Sequence, residues 1–118
     1  MAAKDTLGRR GEQLAASYLE GHGYEVVDRN WRCPQGEIDI IARDSGELVF
    51  VEVKTRSSVA FGHPLEAITA VKLARLRRLA AAWCEAHPGG FASIRIDAVA
   101  VIAPRGEGVT VEHLRRVF

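Results

Sequence analysis

Cysteine is scarce in this 118-residue chain: Cys33 and Cys84 are its only two. That excludes a disulfide framework, and neither sits in a CxxC or Cys/His spacing that would hold zinc. A reducing, cytoplasmic compartment is the expectation. No apolar run approaches the ~20 residues of a membrane span, and Met1-Ala-Ala-Lys-Asp-Thr lacks the apolar core of a signal peptide, so no membrane contact is expected. Charge of one sign is missing too. Sixteen Lys and Arg against fifteen Asp and Glu leave a formal charge of +1, a total that hides any local basic surface. Repeats and low-complexity stretches are absent. With 47% hydrophobic and 26% charged residues, neither wholesale disorder nor a collagen-like or mucin-like chain is tenable. The length leaves room for one core, hence a single domain over 1–118.

Leu7, Leu14, Ala15, Tyr18 and Leu19 recur at helical spacing from Thr6 to His22, with Asp5 or Thr6 as N-cap and Gly21 or Gly23 as stop. Gly8 and Gly11 near its start each cost about 0.5–1 kcal/mol relative to Ala. They point either to close approach of another backbone or a ligand, or to a frayed first turn. Tyr24 to Asn30 reads as a strand and Trp31 to Gly36 as a loop. Glu37 to Arg43 and Glu47 to Lys54 are strands joined through Asp44-Ser-Gly. If the loop is Ser45-Gly46, Arg43 pairs with Leu48, and Asp39 and Glu52 project from one face. A second helix spans Thr69 to His87 with Leu73, Leu76, Leu79, Ala80 and Trp83 as its buried stripe, and strands at Ser93 to Ile102 and Val109 to His113 follow. The order suits an α/β fold, a mixed sheet with helices packed on it.

Glu47 to Lys54 begins apolar on both faces, as a central strand does, yet ends in Glu52 and Lys54. Across the hairpin, Glu37 and Asp39 sit among Ile38, Ile40 and Ile41, a poor place for unpaired carboxylates. An ordinary salt bridge from Lys54 to Asp39 or Glu52 is one reading. One lysine cannot neutralise all these acids, however, and clustered carboxylates are a ligand set for hard cations. Oxygen-only ligands favour Mg²⁺ or Mn²⁺ over zinc, and such a centre suits chemistry on phosphates. Lys54 would stabilise developing charge or orient the attacking water.

Asp39, twelve residues, then Glu52-Val53-Lys54 on a hairpin resembles the PD-(D/E)xK nuclease signature. Gly11-Glu-Gln-Leu-Ala, Asn30-Trp-Arg, Gly36-Glu-Ile-Asp, Phe50-Val-Glu-Val-Lys-Thr-Arg and Arg95-Ile-Asp-Ala-Val-Ala-Val together resemble the bacterial YraN-type family, which is similar to archaeal Holliday-junction resolvases. The resemblance covers nearly the whole chain and implies a restriction-endonuclease-like αβββαββ fold. It implies Asp39, Glu52 and Val53 as metal ligands, Lys54 as catalytic lysine and Glu12 as a further acid from the first helix. Glu37 has weaker standing, because the hairpin could place it outside metal reach. Ile38 replaces the proline that names the signature.

The expected activity is hydrolysis of DNA phosphodiester bonds with Mg²⁺ or Mn²⁺, on branched or structured DNA, with a homodimer left open. Arg56, Lys72, Arg75 and Arg78 are candidates for phosphate contacts, against the commoner reading of solvated helical cations. Lys72 falls by helical angle within the apolar stripe, so it either faces substrate or lays its stem on apolar surface. Asp97 is a polar intrusion that either satisfies buried backbone or supports the site. The rival readings are a non-catalytic DNA-binding or partner-binding module that keeps the fold, and an enzyme for a small phosphate ester, which would need a closed pocket.

Overall fold

Turn chemistry and apolar spacing divide the chain into α1 (Ala3–Gly21), β1 (Glu25–Cys33), β2 (Gly36–Asp44), β3 (Glu47–Arg56), a 3₁₀ turn (Pro64–Ala67), α2 (Ala70–Ala86), β4 (Ser93–Ile102) and β5 (Thr110–Leu114). The computed structural model describes residues 3–60, 62–89 and 93–117; Phe61 and Gly90, both expected in loops, lie outside them. The strands form one sheet in the order β1-β2-β3-β4-β5. Pairing is antiparallel except between β3 and β4, which run parallel from Glu47↔Ser93 to Arg56↔Ile102 with α2 in the crossover.

β3 is the middle strand and is buried on both faces. Val49, Val51 and Val53 pack with Ala15, Ala16 and Leu19 of α1. Leu48 and Phe50 pack with Leu76, Leu79 and Trp83 of α2. The stripe expected on α2 is therefore the one the sheet covers. Thr69 caps that helix by accepting the Lys72 N–H at 3.2 Å. The β2–β3 loop is Ser45-Gly46, with φ of 51° and 83°, a turn whose twist matches the strands and sets Arg43 opposite Leu48.

Two expectations need correction. The chain is already helical at Ala3, so neither Asp5 nor Thr6 is the N-cap, and Gly8 and Gly11 stand inside the helix and not in a frayed turn. The loop expected over Trp31 to Gly36 contracts to Pro34-Gln35, because Cys33 pairs with Gly36 and the ladder holds Trp31 and Arg32 in β1. Proline presets the first turn position, so two residues suffice to reverse the chain.

Gly11 is buried where α1 crosses the end of β3. A Cβ built on it would lie 1.8 Å from Thr55 Oγ1 and 2.7 Å from Thr55 Cβ. Only glycine lets helix and strand meet this closely. Gly11→Ala is therefore expected to lower stability by about 1–3 kcal/mol through overpacking. In a double-mutant cycle read by urea unfolding, Thr55→Gly should make Gly11→Ala much less damaging; strict additivity would refute the contact.

Candidate metal centre

The described β2–β3 ladder ends at Ile40↔Val51. One residue further, Asp39 Oδ2 accepts the Val53 N–H at 2.8 Å, so a side chain replaces the next rung. On β1, the nearby Asn30 adopts φ 52°. Ile38 packs in the cluster under α2 while Ile40 packs in that under α1, although residues two apart on a regular strand share a face. The strand thus turns over at Asp39. This twist and the seating of α1 on Thr55 bring carboxylate oxygens of Glu12, Glu37 and Asp39 within 4.8 Å of one another. Asn30 Nδ2 donates to Glu12 Oε1 at 2.5 Å, and Arg32 Nε meets Glu37 Oε2 at 2.5 Å. Glu52 turns toward Lys54, whose Nζ lies 3.2 Å from its Oε1.

Burial raises the Asp39 pKa first, and the negative charge of Glu52 raises it further. The Val53 N–H opposes them, Glu12 and Glu37 add to them, and the outcome is a pKa pushed from 3.8 to about 8. Near neutral pH the apo site therefore keeps a proton that an ordinary aspartate would have lost. A divalent cation could take that proton's place, since the three clustered acids offer only oxygen donors, the set that suits Mg²⁺ or Mn²⁺. The residues fit such an ion.

Of the residues singled out in the sequence, the fold brings Glu12, Asp39, Glu52 and Lys54 to one end of the sheet. Glu37 belongs with them, contrary to its weaker standing, because the twist at Asp39 carries it inward. Glu52 lies outside the three-acid group, held by Lys54, so the salt bridge and the acid cluster coexist. Lys72 is exposed in the first turn of α2; with Arg75 it lines a 110 Å³ cleft that also holds Glu37, Glu52 and Lys54. It does not share the burial of the apolar stripe, which packs on the sheet through Leu73, Leu76, Leu79 and Trp83. Val53 and Arg56 line a second groove, of 340 Å³, with Glu12. Arg78 is exposed and lines neither. Among the described residues no helix is long and apolar enough to cross a membrane.

Asp97 does not join this centre. It is fully buried on β4, level with Val51, where Arg95 Nε donates to Oδ1 at 2.9 Å and His113 Nε2 lies 2.7 Å from Oδ2. The Arg116 N–H also donates to Oδ1, and Arg95 reaches on to Asp44 and the Tyr24 hydroxyl. Burial alone would raise the Asp97 pKa, but these bonds outweigh it and hold the group below its ordinary value. Sequence spacing gave no sign of Arg95 or His113 as its partners.

Residues 11–101 match the model of the Uncharacterised protein family UPF0102. The chain belongs to this family. It is 60% identical over 117 residues to a UPF0102 protein of Beutenbergia cavernae and 58% identical over 117 residues to one of Arthrobacter sp. strain FB24, with 99% of each chain covered in both cases. A UPF0102 protein of Renibacterium salmoninarum is 57% identical over 116 residues, with 98% of each chain covered. The matched span of this UPF0102 chain contains the acids, Lys54, Lys72 and Arg75.

Two outcomes follow from these electrostatics. A carboxyl whose folded pKa is raised stabilises the fold fully below its unfolded value of 3.8, and that stability is lost as pH rises toward about 8. Chelated protein should therefore melt lower as pH rises through this window. Asp39→Asn should flatten the decline, and Mg²⁺ or Mn²⁺ should raise the melting temperature of the unaltered chain only. A wild-type melting curve indifferent to both pH and metal would refute the cluster. Asp97→Ala, in contrast, strands a buried Arg95 and is expected to cost about 3–5 kcal/mol in chemical denaturation while metal binding by the folded fraction is unchanged.

Proposed function

We propose that the chain is a metal-dependent endonuclease that hydrolyses DNA phosphodiester bonds, acting on branched or structured DNA, with a restriction-endonuclease-like fold. One observation carries the reading: three clustered carboxylates from α1 and β2 stand beside the Glu52–Lys54 pair at the open end of β3. Support for the fold comes from the order αβββαββ and from the hairpin, whose Asp39 accepts the Val53 N–H between Glu52 and Lys54. Support for a polymeric substrate comes from the acids' position between two open clefts, one with Lys72 and Arg75 and one with Arg56. A small ester would need to be enclosed, whereas both the cleft at Lys72 and the groove at Arg56 open to the surface.

Asp39, Glu12 and Glu37 would hold Mg²⁺ or Mn²⁺, which when bound supplies electrostatic stabilisation to phosphoryl oxygen and lowers the pKa of water. The Val53 N–H fixes the Asp39 carboxylate in place. Glu52 orients Lys54, and the ammonium stabilises the charge that develops as the phosphoryl group is attacked. Lys72 and Arg75 hold flanking phosphates without entering the chemistry.

The test is incubation of purified protein with linear, flapped and four-way DNA in Mg²⁺ or Mn²⁺. Asp39→Ala and Glu52→Ala are each expected to abolish cleavage while DNA binding stays largely intact, and Lys54→Met to keep metal binding but lose cleavage. Wild-type rates in these variants would overturn the catalytic assignment. Binding without any cleavage by the unaltered chain would establish the non-catalytic module instead.

A further inference from the structure

Gly8 and Gly11 are three residues apart on α1 and so share a face. Thr55 occupies the space that Gly11 leaves, but a Cβ built on Gly8 meets nothing within 4 Å. Glycine in a helix costs about 0.5–1 kcal/mol relative to Ala, and at Gly8 no described atom of the protein makes use of it. What lies over Gly8 is the 340 Å³ groove, bounded across from the helix by Thr55, Arg56 and Ser57 and closed inward by Glu12.

The donors along that groove are unspent. Among the described residues, the Arg56 guanidinium is bonded only to the carbonyl of its neighbour Thr55, at 3.1 Å, and the Ser57 hydroxyl has no partner. Both residues are exposed. A guanidinium and a hydroxyl beside a helix surface stripped of its side chain suit a sugar-phosphate backbone, which brings anionic oxygens to the donors and needs close approach to the helix. The inner end leads to Glu12 of the acid cluster, where only a cation would let a phosphate stay.

We propose that the groove between Gly8 and the Arg56-Ser57 corner is a subsite for the DNA strand on one side of the cleaved bond, Arg56 and Ser57 holding a phosphate and Gly8 leaving room for the backbone against α1. This rests on the nuclease reading and adds to it where the strand goes. The cleft at Lys72 and Arg75 lies on the α2 side of the sheet, so a strand held in both clefts passes across the acids.

The test is Gly8→Leu, which puts a side chain into open space in a helix that favours it. Melting temperature should be at least that of the unaltered chain, and Mn²⁺ binding by calorimetry should match it. KM for a flapped DNA in Mn²⁺ should rise about tenfold with kcat held, and an excess of deoxynucleoside monophosphate should compete weakly if the groove reads a strand and strongly if it reads a free nucleotide. Arg56→Gln should lower the slope of log affinity against log salt by about 0.7–0.9, the value of one phosphate contact. A folded Gly8→Leu protein with unchanged KM would overturn the subsite and leave the nuclease reading standing. Strong competition by the mononucleotide would overturn the strand assignment. If Gly8→Leu fails to fold, Arg56→Gln with Ser57→Ala carries the same test, and an unchanged KM there overturns the subsite. A wild-type chain that binds Mn²⁺ but neither binds nor cuts DNA would bring down both readings.

Discussion

A carboxylate that accepts a main-chain N–H inside a sheet does two things at once: it satisfies the donor that a missing rung would leave bare, and it is itself drawn out of water. Asp39 is in that position on Val53. Its neighbour two residues back, Glu37, lies within reach of Glu12 and Asp39 while also lining the cleft beside α2. The surrounding pairs follow from the same crowding. Glu52 takes Lys54, Glu37 takes Arg32 and Glu12 takes the Asn30 amide, while Asp39 is left with the main chain alone.

The two ends of the sheet meet the cost of buried charge in opposite ways. From the β2–β3 turn along β4 to the level of Val51, Asp44, Glu47 and Asp97 face Arg95, Arg116 and His113, so each of these acids has a basic side chain as partner. At the Glu52 end of β3, four acids share Lys54 and Arg32. The first network pins the segment after β5 to the sheet, for the Val117 N–H bonds Ile96 and the Arg116 N–H bonds Asp97. The second leaves a surplus of negative charge that only a proton or a cation can offset. A net charge of +1 conceals this division.

What was legible in the sequence was local. Ser45-Gly46 sets its own turn, Thr69 its own cap, and the spacing of Leu76, Leu79 and Trp83 its own buried face, so the hairpin register and α2 could be read from neighbours in the chain. Asp39, Glu52 and Lys54 were legible because charge within an apolar strand is conspicuous. Glu37 was legible as a charge among isoleucines but its reach was not, since that depends on the path of β2 past Asp39 and on where α1 places Glu12. Nor was the Arg95 network, whose members lie as far apart as Tyr24 and Arg95 in sequence. Gly8 and Gly11 looked alike as residues, and only the path of α1 over Thr55 separates them.

Like charges do not gather by themselves, so the closeness of Glu12, Glu37 and Asp39 must be imposed by other contacts. β3 is the stiff reference, packed on both faces and paired on both edges. Val53 holds Asp39 to it from one side, and Gly11 on Thr55 sets the height of α1, and with it Glu12, from the other. Both anchors fall within three residues of β3, so the spacing of the acids is set by one short stretch of strand and not by their own interactions. Repulsion that would open a softer frame is thereby kept in the ground state, where the proposed cation would find its ligands already placed and need not order them.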